Sequence, residues 1–194
     1  MRYNISEITN LIKDRRTIYP EQFSNRKVHS EQIELLLNCA IWAPTHGMTQ
    51  PWRFVVFQDD ALLDLSEKLG EAYLKNTPAE KQNDQKLAKM MSRPKLSSAV
   101  IAICIHRDEG GRISRDDDFA AVACAVENMH LAATAYGLGA FWATPGAIKS
   151  KELKEFLALE GEDECIGLFY IGYPEIEWPK GQRRPIEYVT TWRQ

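Results

Sequence analysis

Residues 43–52 read Ala43-Pro44-Thr45-His46-Gly47-Met48-Thr49-Gln50-Pro51-Trp52, between an apolar helical run (Ile33 to Ile41) and an apolar extended run (Phe54 to Phe57). Two prolines and a glycine stop the preceding helix. A helix-to-strand connection of this length exceeds the usual few residues, and such loops often carry function. Thr45, His46, Thr49, Gln50 and the aromatic Trp52 suit the grip of a planar polar ligand. A bland Pro-rich connector has the same composition, so the loop alone leaves both readings open.

Upstream, residues 5–16 (ISEITNLIKDRR) place Ile5, Ile8, Leu11 and Ile12 at helical spacing and end in Arg15-Arg16-Thr17. Cations at a helix C-terminus complement its dipole. Equally, an arginine pair can hold a phosphate through its planar fork of donors. After an extended link (Tyr19 to Lys27), Ser30 reads as the N-cap of a second helix with Ile33, Leu36, Leu37, Ala40 and Ile41 on one face.

Downstream, Arg53 to Phe57 reads as a strand and residues 60–92 as a helical stretch in two halves. The second half, Ala79 to Met91, is dense in Lys, Gln and Asp, as a mobile cover or a solvated helix would be. Pro94 is expected to end it. Ala99 to Ile105 (AVIAICI) then reads as a buried central strand. Asp108 to Asp118 reads as a loop whose Gly110-Gly111 matches no phosphate-binding fingerprint, and whose aspartates fit a solvated loop better than a metal site. Phe119 to Tyr136 carries one formal charge, Glu127, and is apolar nearly all round. Such a helix is either a central core helix or a large subunit interface. Gly137 and Gly139 stop it. An extended aromatic piece (Ala140 to Gly146), a short helix (Lys151 to Leu159), a strand (Cys165 to Ile171) and a tail from Trp178 with a β-like Ile186 to Thr191 complete the chain. Alternating helices and short apolar strands make this an α+β domain, an α/β-type sandwich.

With 194 residues, 44% hydrophobic and 26% charged, the sequence reads as one ordinary globular domain spanning 1–194. A net charge of -3 gives no electrostatic reason for a nucleic-acid or anionic-membrane partner. No signal peptide is expected from MRYNISEITN, and the longest apolar run, Ala99 to Ile105, is too short to span a bilayer. Cys39, Cys104, Cys124 and Cys165 lie in apolar segments with no CxxC pair, so buried reduced thiols and a cytoplasmic location are expected. His29, His46, His106 and His130 are too scattered to form a metal site.

Four ordered pieces carry a family resemblance: Arg15-Arg16-Thr17; Ala43-Pro44-Thr45-His46 with Gln50-Pro51-Trp52; Gly137-Leu-Gly-Ala-Phe-Trp142; and Ile171-Gly172-Tyr173-Pro174 followed by Arg183-Arg184-Pro185. Together, over essentially the whole chain, they resemble the FMN-dependent nitroreductase family, in particular its compact branch with short insertions. The resemblance implies a central mixed sheet flanked by helices in an intertwined homodimer, with FMN at the subunit interface and the tail (~178–194) embracing the partner. It implies flavin contacts from Arg15, Arg16 and Thr17, from Trp42, Pro44, Thr45, His46 and Gln50, from Trp142, Ala143 and Thr144, and from Arg183 or Arg184. It also implies hydride transfer from NADH or NADPH to the flavin, then reduction of a nitroaromatic, quinone or similar small acceptor in the same pocket.

Flavin chemistry belongs to the cofactor, while the protein binds, orients and tunes it. That agrees with a sequence lacking any Ser-His-Asp, Cys-His or paired-carboxylate arrangement. Two positions depart from relatives: Met48, where many have Asn, and Ala143, where some of the compact branch have Arg. Dehalogenation, ene reduction or flavin breakdown on the same fold would share every motif quoted. A non-catalytic flavin-binding protein would share them too, whereas a plain interaction domain would bind no flavin.

Overall fold

The computed structural model describes residues 2–108 and 110–194. Its helices are α1 (Ile5–Asp14), α2 (Ser30–Ala40), α3 (Ala61–Asn76), α4 (Asp84–Lys95), α5 (Arg115–Ala135) and α6 (Lys151–Phe156). Its strands are β1 (Trp52–Gln58), β2 (Ala99–Ile105), β3 (Gly139–Ala143) and β4 (Glu164–Gly172). They form one sheet in the order β1-β2-β4-β3, each neighbouring pair antiparallel. The expected mixed character comes from a single parallel bridge between Thr17 and Ala140.

Strand β2 is buried at all seven positions because both faces of the sheet are covered. Successive side chains point to opposite faces. Ala99, Ile101, Ile103 and Ile105 therefore join the core under α2 and α5, with Leu36, Val122, Met129 and Phe169. Val100, Ala102 and Cys104 join the core under α3 and α6, with Leu65, Leu69, Leu153 and Tyr170.

Helix α5 buries Ala121, Val122, Ala125, Val126, Met129, His130 and Ala133 along one side. Its other side keeps Phe119, Ala120 and Cys124 exposed, so an all-round apolar helix is only half covered within one chain. Helix α1 is amphipathic yet buries no residue, leaving Ile5, Ile8 and Ile12 in solvent.

Several expectations need correction. Ser30 is the first helical residue rather than the cap; the extended residue is His29, whose N–H donates to Gln32 Oε1 at 3.2 Å. Pro94 lies buried inside the last turn of α4, where it removes only one i−4 bond, and the helix continues to Lys95. Asp116 to Asp118 belong to the first turn of α5, not to the preceding loop, because Ser114 caps the helix by accepting from the Asp117 N–H. Glu109 of that loop lies outside the described residues. Residues 186–191 form no strand: Ile186–Tyr188 is a 3₁₀ turn with exposed side chains and no neighbouring strand to supply hydrogen bonds. Cys104 and Cys165 are buried, Cys39 is half-buried, and Cys124 is exposed on the uncovered side of α5.

Candidate functional site

Helix α1 ends at Arg15, whose backbone turns extended (φ -56, ψ 124) while its N–H still donates to the Leu11 carbonyl. The extended Thr17 then bridges Ala140 of β3, and the Ile18 N–H donates to the Ala140 carbonyl at 3.0 Å. Arg15 Nε lies 3.2 Å from Glu127 of α5. Arg16 Nη1 donates to the Arg15 carbonyl at 2.6 Å, but its Nε is buried and finds no partner among the described residues. Gly181 of the tail packs on the Arg16 guanidinium so closely that a Cβ there would collide with it. Trp178 Nε1 donates to the Asp14 carbonyl at 2.5 Å, so the tail crosses the end of α1.

The Arg16 carbonyl also meets His130 Nε2 at 3.0 Å. Burial, with help from the nearby positive charge of Arg15, lowers the His130 pKa from 6.5 to about 4. A neutral imidazole therefore donates here, and its ring meets Phe169 edge-on at 5.5 Å. It is a fixed structural donor beneath the Arg15-Arg16-Thr17 segment.

Two residues beyond Ala140 lies Trp142, on the β3 edge of the sheet. Its indole packs against Gly167 of β4, where any Cβ would overlap the ring, and its Nε1 is buried without a partner among the described residues. Phe141, Trp142, Ala143, Thr144 and Pro145 line a cavity of about 410 Å3 with Tyr170. That volume is in the range of small-molecule sites. The opposite wall comes from α4: Lys86, Lys89, Met90 and Arg93. Arg93 is held by Glu21 at 3.0 Å and lies 5.0 Å over the Phe141 ring. Sequence reasoning missed these three cations. The only sequence signal for Lys86 and Lys89 was the density of Lys and Gln in residues 79–91, which reads equally as a solvated face, and Arg93 just beyond that stretch carried none.

The 43–52 loop is ordered by its own hydrogen bonds. Thr45 Oγ1 accepts from the Gln50 N–H at 3.1 Å and pairs with Thr49 Oγ1 at 3.3 Å. Residues 46–48 form a 3₁₀ turn, and Gly47, Met48 and Gln50 all have positive φ (59, 57 and 49 degrees). Two non-glycine residues in the left-handed region cost energy, and such strain concentrates at functional loops. His46 Nδ1 lies 3.3 Å from Asp117 Oδ2. The Ser114 hydroxyl, and secondarily His46, hold the Asp117 carboxyl below its usual range. Trp42 and Met48 are 85% and 74% exposed.

The expected residues thus fall into two groups within one chain. Arg15, Arg16, Thr17, Trp142, Ala143 and Thr144 gather around β3, and Gly181 brings the tail against Arg16. Thr45, His46 and Gln50 cluster at the other end of α5 and lead into β1, the opposite edge of the sheet, whereas the Trp42 N–H shares the Cys39 carbonyl with Asn128 of α5, and Pro44 lies between the two. Asp117 and His130 anchor the two groups on α5. Thirteen residues at about 1.5 Å rise separate those anchors by roughly 20 Å. Arg183 and Arg184 surround a separate cavity of about 560 Å3 with Gln182, Pro185 and Tyr188. Among the described residues no three His, Cys, Asp or Glu side chains are grouped to hold a metal ion, and no helix is long and apolar enough to cross a membrane.

The family model for the nitroreductase family matches residues 12–173. The chain belongs to the nitroreductase family. It is similar to the Bacillus subtilis protein named "Putative NAD(P)H nitroreductase YfhC", with 28% identity over 92% of this chain and 90% of the relative. A crystal structure of a nitroreductase-like family protein from Bacillus cereus superposes with a TM-score of 0.82 at 27% identity, covering 100% of this chain and 98% of the other. Another, described as a "putative nitroreductase in complex with fmn" from Desulfovibrio desulfuricans, gives a TM-score of 0.74 at 25% identity over 99% and 98% of the two chains. The family thus accounts for the helix-sheet-helix layering and for the ordered set of motifs.

Proposed function

We propose that this nitroreductase-family chain is a cytoplasmic FMN-dependent oxidoreductase, which oxidises NAD(P)H and reduces a nitroaromatic, quinone or similar small acceptor by alternating half-reactions. The observation that carries the reading is a pair of buried, unpartnered N–H donors, Arg16 Nε and Trp142 Nε1, flanking one strand edge. A buried donor without an acceptor is costly, and a ligand offering acceptors relieves that cost. FMN has the matching chemistry: a dianionic phosphate for the arginines and a ring whose polar edges could accept from the Trp142 indole, which lies on the α5 face of β3.

The residues present fit the group. Arg15, Arg16 and Thr17 would hold the phosphate end, with Arg183 or Arg184 added from the tail, while Trp142, Ala143 and Thr144 would lie against the ring. Lys86, Lys89 and Arg93 set a positive potential over the same cavity. Such a potential favours the negative charge that accumulates on reduction. When bound, FMN would supply the hydride and electron-transfer chemistry, and the residues named would bind and orient it. The names of the similar proteins, an NAD(P)H nitroreductase and an FMN complex, support the same donor and cofactor.

His46, with Thr45 and Gln50 bonded into the same turn, meets α5 roughly 20 Å along its axis from the His130 contact with Arg16, too far to complete one site with it on the same chain. We therefore propose a homodimer in which this loop comes from the partner subunit and the tail embraces that partner. The apolar surface left bare on α1, on α5 and in the tail, where Trp192 is 85% exposed, supports such an association. Residues 79–91 act as a cavity wall rather than a free cover, because Met90 and Pro94 anchor α4 in the core.

The test is an absorbance spectrum of the purified protein, followed by anaerobic titration with NADH and with NADPH. Flavin bands that bleach with a nicotinamide and return with a nitroaromatic or quinone are expected. A protein that stays colourless after addition of FMN refutes the reading. Bound flavin that neither nicotinamide bleaches reduces it to a binding protein. Light scattering during size exclusion gives the mass, and a monomer that retains FMN overturns the shared site.

A further inference from the structure

Strands β2 and β4 pair in regular antiparallel register from Ala99 with Ile171 through Ile103 with Gly167. Continued unchanged, that register would place Ile166 opposite Cys104. Instead the register shifts, and Cys104 pairs with Cys165. Ile166 is the extra residue of a β-bulge, a device that re-aims the side chains beside it. Ile166 turns into the core under α2 and α5, while Cys165 turns to the other face and joins Cys104 in the core under α3 and α6.

We propose that Cys104 and Cys165 form an oxidisable dithiol, a modification site that closes to a cross-strand disulfide when hydrogen peroxide reaches it. Directly opposed residues on antiparallel strands bring their Cβ atoms to about 4.5–5.5 Å and their Cα atoms within about 5.5 Å. The Cα separation falls in the range of about 4.4–6.8 Å usual for a disulfide, and the Cβ separation starts at the top of its range of about 3.5–4.5 Å, so closure draws the two strands slightly together. Both thiols are free. Cys165 also lines a cavity of about 430 Å3 with Lys149, Ser150, Lys154 and Asp163, which gives a small oxidant a route to one sulfur of the pair.

The two thiols are not equivalent. The Cys165 thiol donates to the Gly167 carbonyl at 3.4 Å, and the facing Cys104 side chain holds it below the usual thiol range, while the same neighbour, with burial, pushes Cys104 up. Cys165 is therefore the sulfur that reacts first: it alone of the pair lines the cavity, Cys104 being fully buried, and its thiolate is the nucleophile. Its thiolate attacks one peroxide oxygen; an S–O bond forms, the O–O bond breaks, and the departing oxygen leaves as water after protonation. Cys104 then loses its proton and attacks the sulfenic sulfur; the S–S bond forms, the S–O bond breaks, and a second water leaves. The two thiols lose two electrons in all, and the peroxide takes them up.

The experiment uses full-length C39S/C124S protein, which removes the other two cysteines. The folded protein is exposed to hydrogen peroxide, quenched, denatured, alkylated and digested without reduction for mass spectrometry. A linked pair of peptides carrying Cys104 and Cys165, two hydrogens lighter than their sum and separated by dithiothreitol, is expected. Recovery of both as alkylated thiols, or of Cys165 as an unlinked sulfinic acid, overturns the proposal. In C39S/C124S/C104S protein the sulfenic acid has no resolving thiol, so dimedone is expected to label Cys165. Absence of that label, in protein whose circular dichroism matches the parent, overturns the order of attack.

Discussion

Acid should loosen this fold through one buried imidazole. His130 lies at the C-terminal end of α5, 5% exposed, with Nε2 3.0 Å from the Arg16 carbonyl. Its pKa falls from 6.5 to about 4 because burial, and then the charge of Arg15, disfavour the imidazolium. The unfolded chain therefore binds a proton that the folded chain refuses between those two pH values. Stability is complete above about pH 6.5 and is lost as pH falls towards about 4, below which the loss levels off. At about 1.36 kcal/mol per pH unit, the interval from 6.5 to about 4 corresponds to roughly 3 kcal/mol as an upper limit. Urea unfolding at several pH values, monitored by tryptophan fluorescence, gives the slope, and His130→Gln should flatten it within that window. A variant that keeps the full slope, or an imidazole that titrates near 6.5 by NMR in the folded protein, refutes the reasoning.

Arg16→Ala should weaken FMN binding by about 1.5–3 kcal/mol, the range for hydrogen bonds to a charged group, as measured by flavin fluorescence quenching. Unchanged affinity would return Arg16 to a helix-end role. Gly167→Val should cost about 1–3 kcal/mol in urea unfolding, because the new side chain occupies the place of the Trp142 indole; an unaltered midpoint would contradict that packing. Arg93→Gln should lower stability by under about 1 kcal/mol, since its pair with the half-exposed Glu21 is screened. The same change should weaken FMN about tenfold if the guanidinium meets the cofactor; flavin titration separates the two effects.

Local patterns in the sequence were enough for most of the elements. The period of Ile33, Leu36, Leu37 and Ala40 places α2, and the unbroken AVIAICI run places the central strand, because a strand covered on both faces needs no alternation. The motifs around Arg15, Gln50 and Trp142 were legible because they set unusual residues at fixed spacing outside the regular helices, as the proposed flavin site would require. Boundaries shifted where tertiary contacts overrode propensity: buried Pro94 stays within α4, and Ile186 to Thr191, with no neighbouring strand, forms only a turn.

What the tertiary structure alone decided depends on distance and facing. No one-dimensional signal says that His46 and the Arg16 carbonyl meet α5 at points roughly 20 Å apart along its axis, since that follows from which residues pack at its two ends. Nor does composition say that Lys86, Lys89 and Arg93 line a cavity beside the Trp142 strand, because that depends on how α4 rolls against α3. The same holds for Cys104 and Cys165, sixty-one positions apart in the chain, which one bulged residue turns to face each other. Periodicity is local and survives in the sequence; the sidedness of each element is set by the partners it packs against, and those are fixed only when the sheet and its two helical layers close.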